Sequence, residues 1–340
     1  MPPSLKVFLS YTAQELDTFY SDKALAELAC HAELVFNTTG QVLEGAALAE
    51  AARDCELIIA HRSSAGLRST FAAAPRLLAF LRGAVDVSTI DISAASEFGV
   101  LVTHATAGFG RAVAEMGAAM MFDLARGISR ARAAYARGEE PVLPKAPELR
   151  GSRLAVVGYG TIGRAMAALG LALGMEVTVA DPALAASGVD GCAVAPLGQA
   201  LAWADFVVCL APSLPSTAHM FDAAAFAAMR RGSFFINLSR GELVDEHALE
   251  AALDSGHLAG AGLDVGSAPD QKPALRFIGR DDVIAMPHVG GMTHAARAHQ
   301  AMDTVRQAIA IAQGRMPAHA LNPEAAHRFQ RFAADRAAQG

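Results

Sequence analysis

The sequence predicts an α/β protein built from two Rossmann-like domains with doubly wound parallel sheets. Three observations carry this. Short β-branched or apolar runs alternate with longer Ala/Leu-rich stretches, the pattern of parallel strands joined by helical crossovers. A chain of 340 residues, 53% hydrophobic, is long for one core and sufficient for two. A glycine-rich turn, GYGTIG, joins an apolar run to a helical one, as in folds that seat a phosphate on a helix N-terminus.

Taken in order, LKVFLSY, AELVF, ELIIAH, LLAFL and VLVTH read as the strands of a first domain, each beside a plausible helix. A long amphipathic helix is expected from about Ala112 to Ala136, ending near Gly138. The proline-punctuated stretch EEPVLPKAPELRG that follows reads as a connection. LAVVG, EVTVAD, DFVVCL, SFFINL, AGAGLDV and DVIAMPH then recur at crossover spacing as six strands of a second sheet. A final helix is expected near 293–313, and the tail RFAADRAAQG can fray.

Composition excludes several classes of function. A net charge of −6 argues against a nucleic-acid binder, which needs a basic footprint to neutralise phosphates. Cys30, Cys55, Cys192 and Cys209 show neither CxxC spacing nor a histidine cluster, so no metal and no disulfide framework are expected. The start, MPPSLKVFLSY, lacks a basic segment followed by a long apolar one, and the most apolar helix carries Glu115 and Asp123. The expectation is a cytoplasmic protein with no membrane contact.

The strongest chemical signal is LAVVGYGTIGRAM. Gly158 suits a tight turn, Gly160 lets backbone approach a pyrophosphate, and Gly163 allows close helix–strand packing, with Thr161 and Ile162 opening the helix. Asp181 ends the next strand about 20 residues on, where a carboxylate accepts hydrogen bonds from ribose hydroxyls. The same charge repels a 2′-phosphate, and Pro182, Ala183 and Leu184 provide no arginine to hold one. The expected cofactor is therefore NAD.

Together with NLSRGELVDEHAL, AGAGLDVGSAPD, MPHVGG and the first-domain segment RGAVDVSTIDISAASEFGVLVTHA, this motif resembles the D-isomer-specific 2-hydroxyacid dehydrogenases over nearly the whole chain. The resemblance implies a nucleotide domain at 106–293 inserted into a substrate domain at 1–105 plus 294–340, with the active site between them. It also implies a homodimer that uses the helix near 112–136. The expected function is hydride transfer between NAD(H) and a small 2-hydroxy or 2-oxo acid.

Within Asn237-Leu238-Ser239-Arg240-Gly241, Arg240 matches the family's catalytic arginine; a guanidinium fork suits a carboxylate and can polarise the neighbouring carbonyl. His288, in Pro287-His288-Val289-Gly290-Gly291, matches the histidine that exchanges the substrate proton near neutral pH. The chain departs from the family at the histidine's glutamate partner. An ungapped match puts Pro269 in that slot, so Asp270 is the expected substitute, with a solvated loop acid as the other reading.

Further cofactor contacts implied by the resemblance are Leu210, Ala211, Pro212, Leu238, Asp264 and Gly290. Cys209 is not expected to be a nucleophile, because hydride transfer needs no covalent intermediate. On the substrate side the loop Arg82-Gly83-Ala84 is expected to offer backbone N–H groups to an anion, with Arg62 and Ser63 as a second wall. Two other readings stay open: an NAD-binding sensor or corepressor-like protein without turnover, and a formate- or phosphite-type dehydrogenase on the same fold.

Overall fold

The computed structural model describes residues 5–142, 147–185, 187–268 and 270–338. The chain divides into two compact units, one made of the residues up to Gly108 with those from His294 on, the other Phe109–Thr293.

In the first unit the five expected strands form: β1 (Leu5–Leu9), β2 (Ala32–Phe36), β3 (Leu57–Ala60), β4 (Ala79–Arg82) and β5 (Leu101–His104). All pair in parallel, in the order β2-β1-β3-β4-β5. Alternate residues serve opposite faces, Val7, Leu9, Leu57 and Ile59 on one and Phe8, Ile58, Phe80 and Val102 on the other. Both faces are buried in β1, β3, β4 and β5, which is why these strands read as largely apolar runs, whereas the edge strand β2 has no fully buried residue. The closing helix His294–Ala312 packs Ala301, Val305, Ala308 and Ile311 against the first face.

The second unit contains the six expected strands: β6 (Arg153–Val157), β7 (Glu176–Ala180), β9 (Phe206–Cys209), β10 (Ser233–Asn237), β11 (Leu258–Leu263) and β12 (Val283–Ala285). A seventh, β8 (Ala193–Val194), extends the β7 edge. The order is β12-β11-β10-β9-β6-β7-β8, parallel throughout. Strands therefore add to one side of β6 and then, from β9, to the other. Phe221, Phe226 and Phe235 meet at ring distances of 4.8 to 6.2 Å in the core on one face.

The long helix expected over 112–136 is two helices, Gly110–Arg126 and Ile128–Ala136. Gly127 breaks it with φ +62, a left-handed conformation cheap for glycine. Its N–H still bonds Asp123 O at 2.6 Å, and the Asp123 carboxylate accepts the Ser129 N–H at 2.8 Å to start the second helix. In the expected connection, residues 143–146 lie outside the described residues. Among the described residues no helix is long and apolar enough to cross a membrane.

Candidate active site

The second sheet reverses direction of growth between β6 and β9, the place where doubly wound sheets leave a crevice beyond their carboxyl ends. A groove of about 560 Å³ opens there, lined by Gly158, Tyr159, Gly160, Asp181, Leu210, Ala211, Pro212, Ser213, Ser239 and Arg240. Each glycine of the turn has its own cause. Gly158 sits at φ +96, and a Cβ there would lie 2.6 Å from Leu210 O. A Cβ on Gly163 would lie 2.1 Å from Gly158 O, so strand and helix meet only because that position is bare. Gly160 is different: nothing approaches its Cβ position within 4 Å, which leaves the backbone open to a ligand.

Gly160 is also the N-cap of the helix Thr161–Ala172 and provides no side-chain cap, so the first N–H groups stay available to an anion. Asp181 is held by the turn itself, Oδ2 accepting from Tyr159 N and Oδ1 from Ala183 N at 2.8 and 2.9 Å. Its remaining lone pairs can receive ribose hydroxyls. This donor and acceptor set fits a dinucleotide with a free 2′-hydroxyl. Thr161 is exposed and Ile162 half-buried. Leu238, expected among the cofactor contacts, has its side chain buried in the core, where its Cδ1 fills the space beside Gly117. Cys209 is fully buried, and desolvation pushes its thiol up to about 12, which fits its expected inertness.

Arg240 stands at the same groove because Asn237 shapes the loop before it. Asn237 is buried at the end of β10; its side chain accepts from Ser239 N at 3.0 Å and donates to Arg240 O at 2.9 Å. An asparagine three residues before the arginine thus closes the turn at both ends. The guanidinium is exposed and donates only to Ser239 O, at 2.8 Å. Gly241 follows because a Cβ there would lie 2.0 Å from Gly266 C.

His288 is half-buried after β12 with φ +57, a conformation uncommon outside glycine. Asp264, at the end of β11, fixes the loop beyond it: the carboxylate accepts from Val289 N and Gly290 N, both at 2.9 Å. A Cβ on Gly290 would lie 2.7 Å from Asp264 Oδ2, so glycine is needed there as well. Asp264, expected as a cofactor contact, has both oxygens engaged in positioning the histidine loop. Nothing in the sequence pointed to that role beyond the adjacency of strand ends.

The pairing expected between Asp270 and His288 is not made. Asp270 is exposed, its carboxylate 2.9 Å from Lys272 Nζ and accepting from Lys272 N at 3.2 Å, and that cation holds its pKa below the usual value. The loop explains this. Gly266 N bonds Gln271 O at 3.0 Å, Gln271 takes φ +59, and Ser267 is tied to Glu246 by two bonds of 2.9 Å. The chain turns back on itself at Gly266, where a Cβ would lie 2.4 Å from Lys272 O. Pro269 lies outside the described residues.

In the first unit, Arg62 is exposed, and no hydrogen bond or ion pair engages it among the described residues. Ser63 is committed within the unit: its Oγ lies 2.7 Å from His61 Nδ1 and donates to Glu15 Oε1 at 3.0 Å. The side chain of Arg82 is wholly buried, donating to His61 O and, at 2.9 Å, to Thr89 Oγ1. Only the backbone of Gly83 and Ala84, half-buried beyond β4, is presented. Sequence reasoning missed Glu15 and Tyr11. Glu15 had one signal, the Thr12-x-x-Glu15 capping box, which announces a helix start and says nothing of His61.

Residues 118–290 match the family model described as D-isomer specific 2-hydroxyacid dehydrogenase, NAD binding domain. The chain is 33% identical over 276 residues to the chloroplastic D-3-phosphoglycerate dehydrogenase 2 of Arabidopsis thaliana, covering 79% of this chain and 44% of that one. It is 32% identical over 277 residues to D-3-phosphoglycerate dehydrogenase of Sus scrofa, covering 80% and 52%. The chain thus spans about half the length of the curated relatives it matches. The apo-structure of D-lactate dehydrogenase from Escherichia coli shares the fold, with a TM-score of 0.78 at 24% identity over 93% of this chain and 100% of that one.

Proposed function

Because the chain belongs to the D-isomer specific 2-hydroxyacid dehydrogenase family, we propose that it is an oxidoreductase moving a hydride between NAD(H) and a small 2-hydroxy or 2-oxo acid. The observation that carries the reading is the groove at the β6/β9 reversal, whose lining includes both the open glycine turn and Arg240. A dinucleotide seat and an exposed guanidinium on one rim suit a redox reaction on an anion. The bound nicotinamide supplies a hydride in one direction and accepts it in the other.

Gly158, Gly160 and the first turn of the helix Thr161–Ala172 would hold the pyrophosphate, and Asp181 would hold the adenosine ribose and select NAD over NADP. Arg240 takes the substrate carboxylate in a two-pronged contact and draws charge from the adjacent carbonyl. His288 donates a proton to the oxygen that becomes a hydroxyl; in oxidation its neutral ring removes that proton. Asp264 keeps the histidine loop in place. With Asp270 engaged by Lys272, the proton step is assigned to His288 without it. In the first unit the groups assigned to substrate are Arg62 and the backbone of Gly83 and Ala84. A homodimer belongs to the same reading, and exposed Phe122, Ile128 and Tyr135 on the broken helix support it.

The test is Arg240→Ala. Its kcat/KM for a 2-oxo acid is expected to fall about 100-fold or more, with NADH affinity within about threefold of wild type, since the guanidinium is assigned to substrate. A matching loss of NADH affinity would move Arg240 into the cofactor site.

A further inference from the structure

The first sheet has its own reversal point. Its order, β2-β1-β3-β4-β5, puts the change between β1 and β3, and the residues just beyond these strands converge there. Tyr11 follows β1, His61 follows β3, and Gly83 follows β4. Tyr11 is 3% exposed, its ring packed 5.6 Å from Tyr20 and 5.1 Å from His61. Tyr20 Oη is anchored to Thr304 Oγ1 at 2.9 Å, whereas Tyr11 Oη makes no hydrogen bond among the described residues. The buried unpartnered side-chain atoms among the described residues do not include this oxygen, so the small exposed part of Tyr11 takes in the hydroxyl and leaves it open to a ligand.

That hydroxyl lies where a Gly83 Cβ would be, 2.0 Å from the Cβ position. Gly83 has no left-handed φ to explain it. The loop lacks a side chain at this point because an oxygen 72 residues away occupies the space. Gly83 N is used by Ala60 O at 2.9 Å, but the N–H groups of Ala84 and Val85 meet no acceptor among the described residues. A free hydroxyl and two free amides therefore crowd one short loop, and the buried Arg82 guanidinium lies directly before it. All of these favour an anion.

We infer that Tyr11 is a further substrate-binding residue, its hydroxyl donating to the substrate carboxylate beside the N–H groups of Ala84 and Val85. This rests on the reading that the Arg82-Gly83-Ala84 loop faces a 2-oxo acid. Burial drives the phenol's pKa upward, so Tyr11 remains a neutral donor and never repels the anion. His61 and Glu15 act behind it, setting the ring.

The experiment is steady-state kinetics of full-length Tyr11→Phe with NADH and a 2-oxo acid that the wild type reduces. KM for the oxo acid is expected to rise about tenfold, the effect of losing one hydrogen bond to a charged group. The value of kcat is expected to stay within about twofold, with NADH affinity and Tm unchanged, as for loss of uniform binding. Gly83→Ala provides the second arm. Alone it forces Cβ onto the Tyr11 oxygen and lowers Tm; combined with Tyr11→Phe, Tm recovers while KM stays high, because the donor is still gone. A wild-type KM in Tyr11→Phe overturns the inference and leaves the activity intact. If the wild type neither reduces any 2-oxo acid nor binds oxamate when loaded with NADH, the functional reading fails and takes the inference with it.

Discussion

The two sheets reverse at comparable places, yet they equip the reversal in opposite ways. In the second unit the crevice is made of backbone. Gly158, Gly160 and Gly163 strip the turn of side chains, and one carboxylate, Asp181, braces it. In the first unit the corresponding region is packed with polar side chains from separate segments. Glu15 Oε1 lies 3.0 Å from His61 Nδ1, Ser63 bridges the two, Ser10 Oγ bonds Ser64 Oγ at 2.9 Å, and Arg82 lies buried beneath. A site made from contiguous backbone leaves a motif in the sequence. A site made from side chains of separate segments leaves none, and it is the kind that sequence reading passes over.

The largest effect that separates the two regions is expected from Gly163→Ala. The added methyl meets Gly158 O at 2.1 Å and neither backbone segment can give way, so the turn must open. NADH affinity is expected to fall at least about 100-fold, a cost of several kcal/mol as for overpacking against backbone. Titration by quenching of Trp203, which lies in the second unit, reads this directly. Retained affinity would mean that the close approach of strand and helix is not what builds the seat.

A smaller effect sharpens the other side of the comparison. Burial lowers the pKa of His61 despite the nearby Glu15 carboxylate, because Nε2 is buried with no acceptor and cannot usefully carry a proton. The unfolded chain takes up that proton near pH 6.5 and the folded one resists, so stability falls as pH drops below about 6.5, by about 1–2 kcal/mol at pH 5. The pKa of Glu15 is also lowered, through hydrogen bonds from Thr12 and Ser63 and the charge of His61, which outweigh its burial. Its contribution is lost in the same direction, but only below its ordinary range of about 4.3. Circular dichroism across urea titrations at pH 7 and pH 5 is expected to show the shift, with His61→Asn flattening it. Since Trp203 reports the second unit, an equal shift in its fluorescence would place the titration elsewhere.

The smallest effect is expected from Asp270→Asn. An exposed pair with Lys272 contributes little to stability, and the contacts of the Asp270 carboxylate among the described residues are to Lys272. The apparent pKa governing oxo-acid reduction is expected to stay within about 0.3 units of wild type. A clear downward displacement with slower reduction would restore Asp270 as the histidine's partner.

Most of the fold could be read in advance because interior strands such as Leu57–Ala60 and Phe206–Cys209 are apolar along their whole length, and eleven of the twelve strands fall within apolar-rich runs. The exception, Ala193–Val194, is a two-residue edge with no periodicity to detect. The break at Gly127 was hidden because one glycine in an otherwise helical run is ordinarily tolerated. At the candidate site the glycine turn and the arginine turn could be read because each carries its local geometry with it, Asn237 closing the second, whereas Asp264 pins the histidine loop from another strand end and was not read in that role. Asp270 was misplaced because nearness in sequence to the family's glutamate position said nothing of the turn at Gly266. Tyr11 left no mark at all, since its meaning depends on a glycine 72 residues away.

The central claim is most directly tested by following NADH absorbance with the purified wild-type protein across 2-oxo acids of graded side-chain size, with His288→Asn in parallel. The account predicts that at least one acid is reduced with one NADH consumed per hydroxy acid formed. In His288→Asn that rate is predicted to drop by about 100-fold or more, with NADH still bound at wild-type affinity. The contradicting result is tight NADH binding with none consumed by any acid, which would make the chain a protein that holds the dinucleotide without turning it over.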